Sequence, residues 1–151
     1  MTNEYYDNLI RISNEWSDRK QERETKKQEI IKKYGWDSKE LKAIYDEIES
    51  EPYPFTPGES KAVRAYLNSN YYGLNEIEMN DFLWDRDVHD FITSLKNAEI
   101  DTFVYTNTSS AVMDNILGFI DEGCKMLEPT ILTRKDEWEQ KEVKGIRFKI
   151  G

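Results

Sequence analysis

Residues 86–150 constrain the fold more than any other stretch of this chain. Val88, Phe91, Ile92, Leu95 and Ala98 recur at helical spacing, and the β-prone run Phe103-Val104-Tyr105 follows. A polar loop of Thr106, Asn107, Thr108, Ser109 and Ser110 then leads into an apolar helix through Ile120, with Gly123 just past its end as a stop signal. Further on, residues 143–150 alternate Ile146, Phe148 and Ile150 against Arg147 and Lys149. That is a half-buried strand, and residues 130–134 can pair with it through the polar excursion 136–141. The pattern predicts a sheet with helical crossovers. It contains no nucleophile–base pair, metal cage or phosphate-loop motif, so it predicts an architecture and names no reaction.

The first third is helical and of different character. Tyr5, Leu9, Ile12 and Trp16 make one apolar stripe, residues 17–29 contain no apolar side chain, and Ile30, Ile31 and Tyr34 return the chain to a core before Gly35. An unbroken helix over residues 3–34 is about 45 Å long, and its watery middle calls for pairs such as Glu22–Lys26 and Glu29–Lys33. Trp36, Asp37, Glu40 and Leu41 read as staple, N-cap and capping box for a second helix over 38–50, antiparallel to the first. A proline-rich linker, Glu51-Pro52-Tyr53-Pro54-Phe55, breaks the pattern. Thr56, Pro57 and Glu59 restart it as N-cap, N1 and N3 of a third helix ending near Asn68. Ile77 and Met79 alternate with Glu78 and Asn80 as in a short strand.

The expected fold is therefore α+β with an α/β-like C-terminal half. An N-terminal helical hairpin packs on a small three- to four-stranded mixed sheet with two crossover helices. The expected division is a single domain, 1–151, made of a hairpin and linker (1–55) and an α/β core (56–151). A chain of 151 residues with 38 % hydrophobic and 13 % aromatic residues has material for one core without crosslinks. No run approaches the roughly 18 apolar residues needed to span a bilayer, and the start lacks a secretory pattern. The single cysteine, Cys124, forms no internal disulfide. These features point to the cytoplasm.

Net charge is −9, and its distribution carries the argument. Residues 76–101 hold eight acids against Arg86 and Lys96, a surface that repels phosphates and attracts basic partners. Asp81, Trp84, Asp85, Asp87 and Asp90 are the expected partner-binding face, against the plainer reading of a solvated acidic surface. Asp85, Asp87 and Asp90 also suit Mg²⁺ or Ca²⁺ by residue type, but the same spacing reads as helix capping, and no metal is expected. His89, the one histidine, has no visible nucleophile to serve. Thr106, Asn107, Thr108, Ser109 and Ser110 lie where a strand ends and a helix begins, a place for an anion or small ligand; the plainer reading is a loop ending in a Ser or Thr N-cap. Arg19, Arg23, Lys26 and Lys33 are interleaved with glutamates, which favours a salt-bridged exposed helix over a nucleic-acid surface. No cofactor and no membrane partner are expected, and oligomeric state is left open.

The segments Lys61-Ala62-Val63-Arg64-Ala65-Tyr66-Leu67, Asp81-Phe82-Leu83-Trp84-Asp85-Arg86-Asp87-Val88, Phe103-Val104-Tyr105-Thr106-Asn107, Glu122-Gly123-Cys124 and Gly145-Ile146-Arg147-Phe148 resemble those of a family of small acidic proteins. That family is predicted in phages and conjugative elements of Gram-positive gut bacteria. The resemblance covers residues 35–151 and implies a genetic setting without an activity. With the acidic run, it sets the expectation of a non-enzymatic accessory protein that binds a basic protein of the host or element. The alternatives are an inhibitor of a host defence nuclease acting by phosphate mimicry, and a small-ligand or nucleotide-binding α/β protein.

Overall fold

Five helices and four strands follow one another in a computed structural model that describes all 151 residues. They are α1 (Glu4–Tyr34), α2 (Lys39–Glu49), α3 (Pro57–Tyr71), β1 (Ile77–Met79), α4 (Asp85–Asn97), β2 (Thr102–Tyr105), α5 (Val112–Asp121), β3 (Lys125–Lys135) and β4 (Gln140–Lys149). The fold is α+β with a four-stranded mixed sheet, as the periodicities predict. The chain forms two units, one of Met1–Asp7 with Phe55–Gly151 and one of Asn8–Pro54.

In the larger unit the strand order is β1-β2-β4-β3. β1 and β2 are parallel, and β4 runs antiparallel to both of its neighbours, so β1, β2 and β3 share one direction. Helices α4 and α5 are the two crossovers. The register pairs Ile77 with Phe103, Met79 with Tyr105 and Phe103 with Phe148, which puts these side chains on one face. There Phe103 meets Phe91 of α4 at 5.6 Å, Phe119 of α5 at 5.1 Å and Phe148 at 5.5 Å between ring centroids. All four rings are fully buried, and each burial stabilises the fold by about 2–3 kcal/mol, with roughly 1 kcal/mol more for each well-oriented ring pair. The first turn of α1 belongs to this unit. Asn3 caps it by accepting from the Tyr6 N–H at 3.1 Å, and Tyr6, rather than its neighbour Tyr5, is fully buried. Its ring stacks on Tyr66 at 5.1 Å and its hydroxyl meets Ser94 Oγ at 3.2 Å.

The opposite face of the sheet carries Glu78, Val104 and Thr106. β1 and β3 lie at opposite edges, yet Arg134 of β3 forms an ion pair with Glu78 of β1. The far end of the β3–β4 ribbon therefore folds back across this face. A bulge between Met126 and Pro129 admits the bend. Leu132 joins Leu74 and Val104 in a small apolar cluster against Tyr72, and the Lys135 N–H donates to the Tyr72 carbonyl at 2.9 Å. This cover corrects the expected alternation at β1. Glu78 does not face water; it is buried, held by Arg134 and by the Thr106 hydroxyl, which donates to it.

In the smaller unit, contacts run in reverse order along α1 and α2. Lys27 lies over the Tyr45 ring at 5.2 Å, while Arg19 and Arg23 both hold the Glu51 carboxylate and Trp16 Nε1 donates to the Glu51 carbonyl at 3.1 Å. The two helices thus form the expected antiparallel hairpin, closed by Trp16 against Tyr53. Two local details differ from expectation. The α2 cap is Ser38, whose Oγ accepts from the Leu41 N–H at 3.1 Å, so Glu40 sits one position early for a capping box and Trp36 stays exposed. The cause is backbone: the chain returns to extended φ/ψ at Ser38, not Asp37. Along α1 the ion pairs are Arg11–Glu15 and Glu24–Lys27 rather than those expected. At α3 the predicted Thr56 cap and Pro57 at N1 are found, with the helix continuing to Tyr71.

Candidate functional site

Two parallel strands end side by side, and the loops that leave them meet. The segment after β1 carries Phe82, Leu83 and Trp84 into α4, and residues 106–111 carry β2 into α5. Asn115 of α5, fully buried, joins the two loops: Nδ2 donates to the Leu83 carbonyl at 2.6 Å, and Oδ1 accepts from the Leu83 N–H at 2.9 Å and from the Tyr105 hydroxyl at 2.7 Å. Burial pushes the Tyr105 phenol up, keeping it a donor. Asn107 Nδ2 donates in turn to Tyr105 Oη at 3.0 Å and to Ser109 Oγ at 2.8 Å.

Around this bracket lie two adjoining depressions, each of about 370 Å³. The first is an apolar pocket of Phe82, Leu83, Trp84 and Ala111, edged by Ser109 and Ser110. The second is a groove between α4 and α5, floored by Val88, Leu117 and Gly118 and edged by Asp121 and Glu122. Asp85 and Asp114 line both. Gly118 lets the helices approach closely, since a Cβ there would stand 3.2 Å from a Val88 methyl. Four carboxylates line the groove and no basic side chain does. At its end His89 Nδ1 lies 2.8 Å from Glu122 Oε2, and that hydrogen bond raises the imidazole pKa. The outward side of α5 adds Met113, Leu117 and Ile120, 65 %, 51 % and 44 % exposed, at i, i+4 and i+7.

The predicted acidic face is only partly present. Trp84 is 58 % exposed and lines the apolar pocket, and Asp85 is on the surface where pocket and groove meet. Asp90 is half-buried on α4 outside it. Asp81 is engaged by Lys61 at 3.4 Å, and its Oδ1 accepts from the Phe82 N–H at 2.8 Å. Asp87 is 4 % exposed, with Oδ2 unpartnered, so it offers nothing to a partner. It occupies the inner side of the first turn of α4, where the free N–H groups favour a carboxylate. Glu76 and Glu78, which swelled the local charge in sequence, are taken up by Arg147 and Arg134. α4 is capped by neither Asp85 nor Asp87; its N-cap is Trp84, without a side-chain bond.

The loop after β2 spends its polar groups on itself. Thr106 is buried on Glu78, Asn107 Oδ1 accepts from the Ser109 N–H at 3.1 Å, and Ser109 Oγ accepts from the Ala111 N–H at 3.3 Å. Thr108, Ser109 and Ser110 are exposed, but the N-cap of α5 is Ala111, not the expected Ser or Thr. Cys124 is buried, which raises its thiol pKa and leaves it a poor nucleophile. No group of three or more His, Cys, Asp or Glu side chains is placed to hold a metal ion.

Sequence reasoning missed Asn115, Asp114, Leu117 and Asp121. The available signal was α5 itself: Val112, Ile116 and Phe119 already supply an inner face, so Met113, Leu117 and Ile120 make the helix apolar on a second side.

No curated protein and no solved structure matches the chain. No helix is long and apolar enough to cross a membrane. A family model described as "Domain of unknown function (DUF7698)" matches residues 61–150, from within α3 to the end of β4, and therefore takes in the whole sheet, both crossover helices and the groove. By that match over more than half its length, the chain belongs to the DUF7698 family.

Proposed function

We propose that this chain is a non-enzymatic interaction protein, working in the cytoplasm as an accessory factor of a mobile genetic element, that binds a basic protein through the α4–α5 groove. The observation that carries the reading is the groove lining: Asp85, Asp114, Asp121 and Glu122 around an apolar floor, with no basic side chain among them. Such a site draws a cationic partner at a distance and holds it by burying apolar surface. The resemblance of residues 35–151 to proteins of phages and conjugative elements supplies the genetic setting. A small ligand at Thr106, Asn107, Thr108, Ser109 and Ser110 is the weaker reading, because Thr106, Asn107 and Ser109 already bond within the protein.

The test compares wild type with the triple variant Asp85→Asn, Asp114→Asn, Asp121→Asn on an affinity matrix, with lysate applied at low and high salt. All three acids are exposed, so the variant should fold normally. Basic proteins held by wild type should be released by salt and missed by the variant. Equal retention by both would sink the proposal.

A further inference from the structure

We infer that the occupant of the groove is a basic amphipathic helix of the partner protein, laid along α5, and this deepens the reading just given and rests on it. The argument is geometric. Asp114 and Asp121 stand seven residues apart on α5, two turns and about 10.5 Å along its axis. A second helix lying alongside presents residues on one face with the same seven-residue repeat, so two lysines or arginines seven apart reach both carboxylates at once. Between the acids the surface is apolar. Leu117, halfway along and 51 % exposed, lies beside Val88 and Gly118 on the groove floor. A partner leucine three or four residues after the first cation falls there.

Beyond Asp114 the groove opens into the pocket of Phe82, Leu83 and Trp84. An apolar side chain about one turn outside the first cation fills it. The structure thus assigns a recognition pattern: an apolar anchor, a cation three or four residues on, an apolar residue after a similar step, and a second cation seven residues from the first. An extended basic strand rises about 3.3 Å per residue, so its alternating side chains match the carboxylate spacing only at three residues, which puts the two cations on opposite faces. Charge complementarity chooses the partner's sign, and the helical repeat of the acids chooses its secondary structure.

The test uses three fluorescein-labelled 16-residue peptides with the intact protein, read by fluorescence anisotropy at low and at physiological salt. One carries the pattern on a helix-favouring background, one is a scramble of the same composition, and one replaces each lysine with glutamate. The patterned peptide should bind at least tenfold more tightly than the scramble, and the glutamate peptide should not bind. Leu117→Ser should remove that tenfold preference while leaving weak, salt-sensitive binding of both lysine peptides. Trp84→Ser, at a second exposed position, should reduce it in the same way. Equal binding of patterned and scrambled peptides, lost in the triple Asp→Asn variant, would overturn the helix assignment and leave the acidic-groove reading standing. No binding of either lysine peptide would overturn both.

Discussion

Replacing Asn115 with leucine should cost this fold about 3 kcal/mol. Leucine fills the space but offers no hydrogen-bonding group, so three partners lose their bonds together: the Leu83 N–H at 2.9 Å, the Leu83 carbonyl at 2.6 Å and the Tyr105 hydroxyl at 2.7 Å. Asn115 is fully buried, with Leu83 and Tyr105 nearly so, and water cannot replace the amide without opening the site. Each lost bond is worth about 1 kcal/mol net, and a donor or acceptor stranded in the interior costs up to about 3, so 3 kcal/mol is the lower end. Equilibrium urea unfolding is the assay. At an m-value of about 2 kcal/mol/M the midpoint should fall by roughly 1.5 M with m unchanged. Tyr105→Phe removes one of the three bonds and should cost about 1 kcal/mol; it also removes the Tyr105 Oη acceptor of Asn107 Nδ2, a part-exposed amide that keeps Ser109 Oγ at 2.8 Å. The double variant should be less than additive by a similar amount, because one bond is counted in both. A midpoint drop under roughly 0.5 M for Asn115→Leu would refute the reasoning, since it would mean that the two loops hold together without the bracket.

The buried pair on the other face behaves differently from a surface ion pair. Arg134→Met leaves Glu78 uncompensated in the interior and should destabilise by about 3–5 kcal/mol, whereas the double change Glu78→Leu with Arg134→Met should recover most of it; thermal unfolding of both variants checks this. The His89 imidazole, bonded to Glu122, should titrate above its ordinary value near 6.5 in an NMR pH series, and Glu122→Gln should return the midpoint to about 6.5. Because the folded-state pKa is the higher one, the pair adds stability below about pH 6.5 and loses it as pH rises through the folded value. An unchanged midpoint in the Glu122→Gln variant would show that the pair does not form in solution.

Much of the architecture was legible because it depends on local period. The α4–β2–α5 run switches from 3.6-residue to two-residue spacing and back, and Gly123, at φ 90°, takes the left-handed conformation that ends α5. Thr56 and Pro57 likewise announced α3. What escaped depends on long-range pairing. Glu78 sits at a position that alternation assigns to water, and only the folded-back ribbon, carrying Arg134 from 56 residues away, makes it interior. Asp87 and Asp85 are indistinguishable as letters, but two residues' rotation about α4 puts one inside and the other at the groove. Asn115 looked like an ordinary polar position in an apolar helix, because its partners lie 32 and 10 residues back along the chain. The groove is an interhelical feature and needed the crossing of α4 and α5, which a linear pattern does not encode.

The strand order has a consequence for how this domain comes into being. β4 follows β3 in the chain but lies between β3 and β2, so two of the three seams of the sheet, β2–β4 and β4–β3, wait for residues 140–149. As synthesis proceeds, β1, α4 and β2 can assemble by local crossover, but β3 has nothing to pair with until the next strand arrives. The emerging polypeptide thus carries an incomplete sheet, with the Phe103 face short of its Phe148 partner, until β4 is available to pair with β2 and β3. Completion of this sheet rests on its last strand, and a chain held before residue 140 leaves the facing edges of β2 and β3 both without their neighbour.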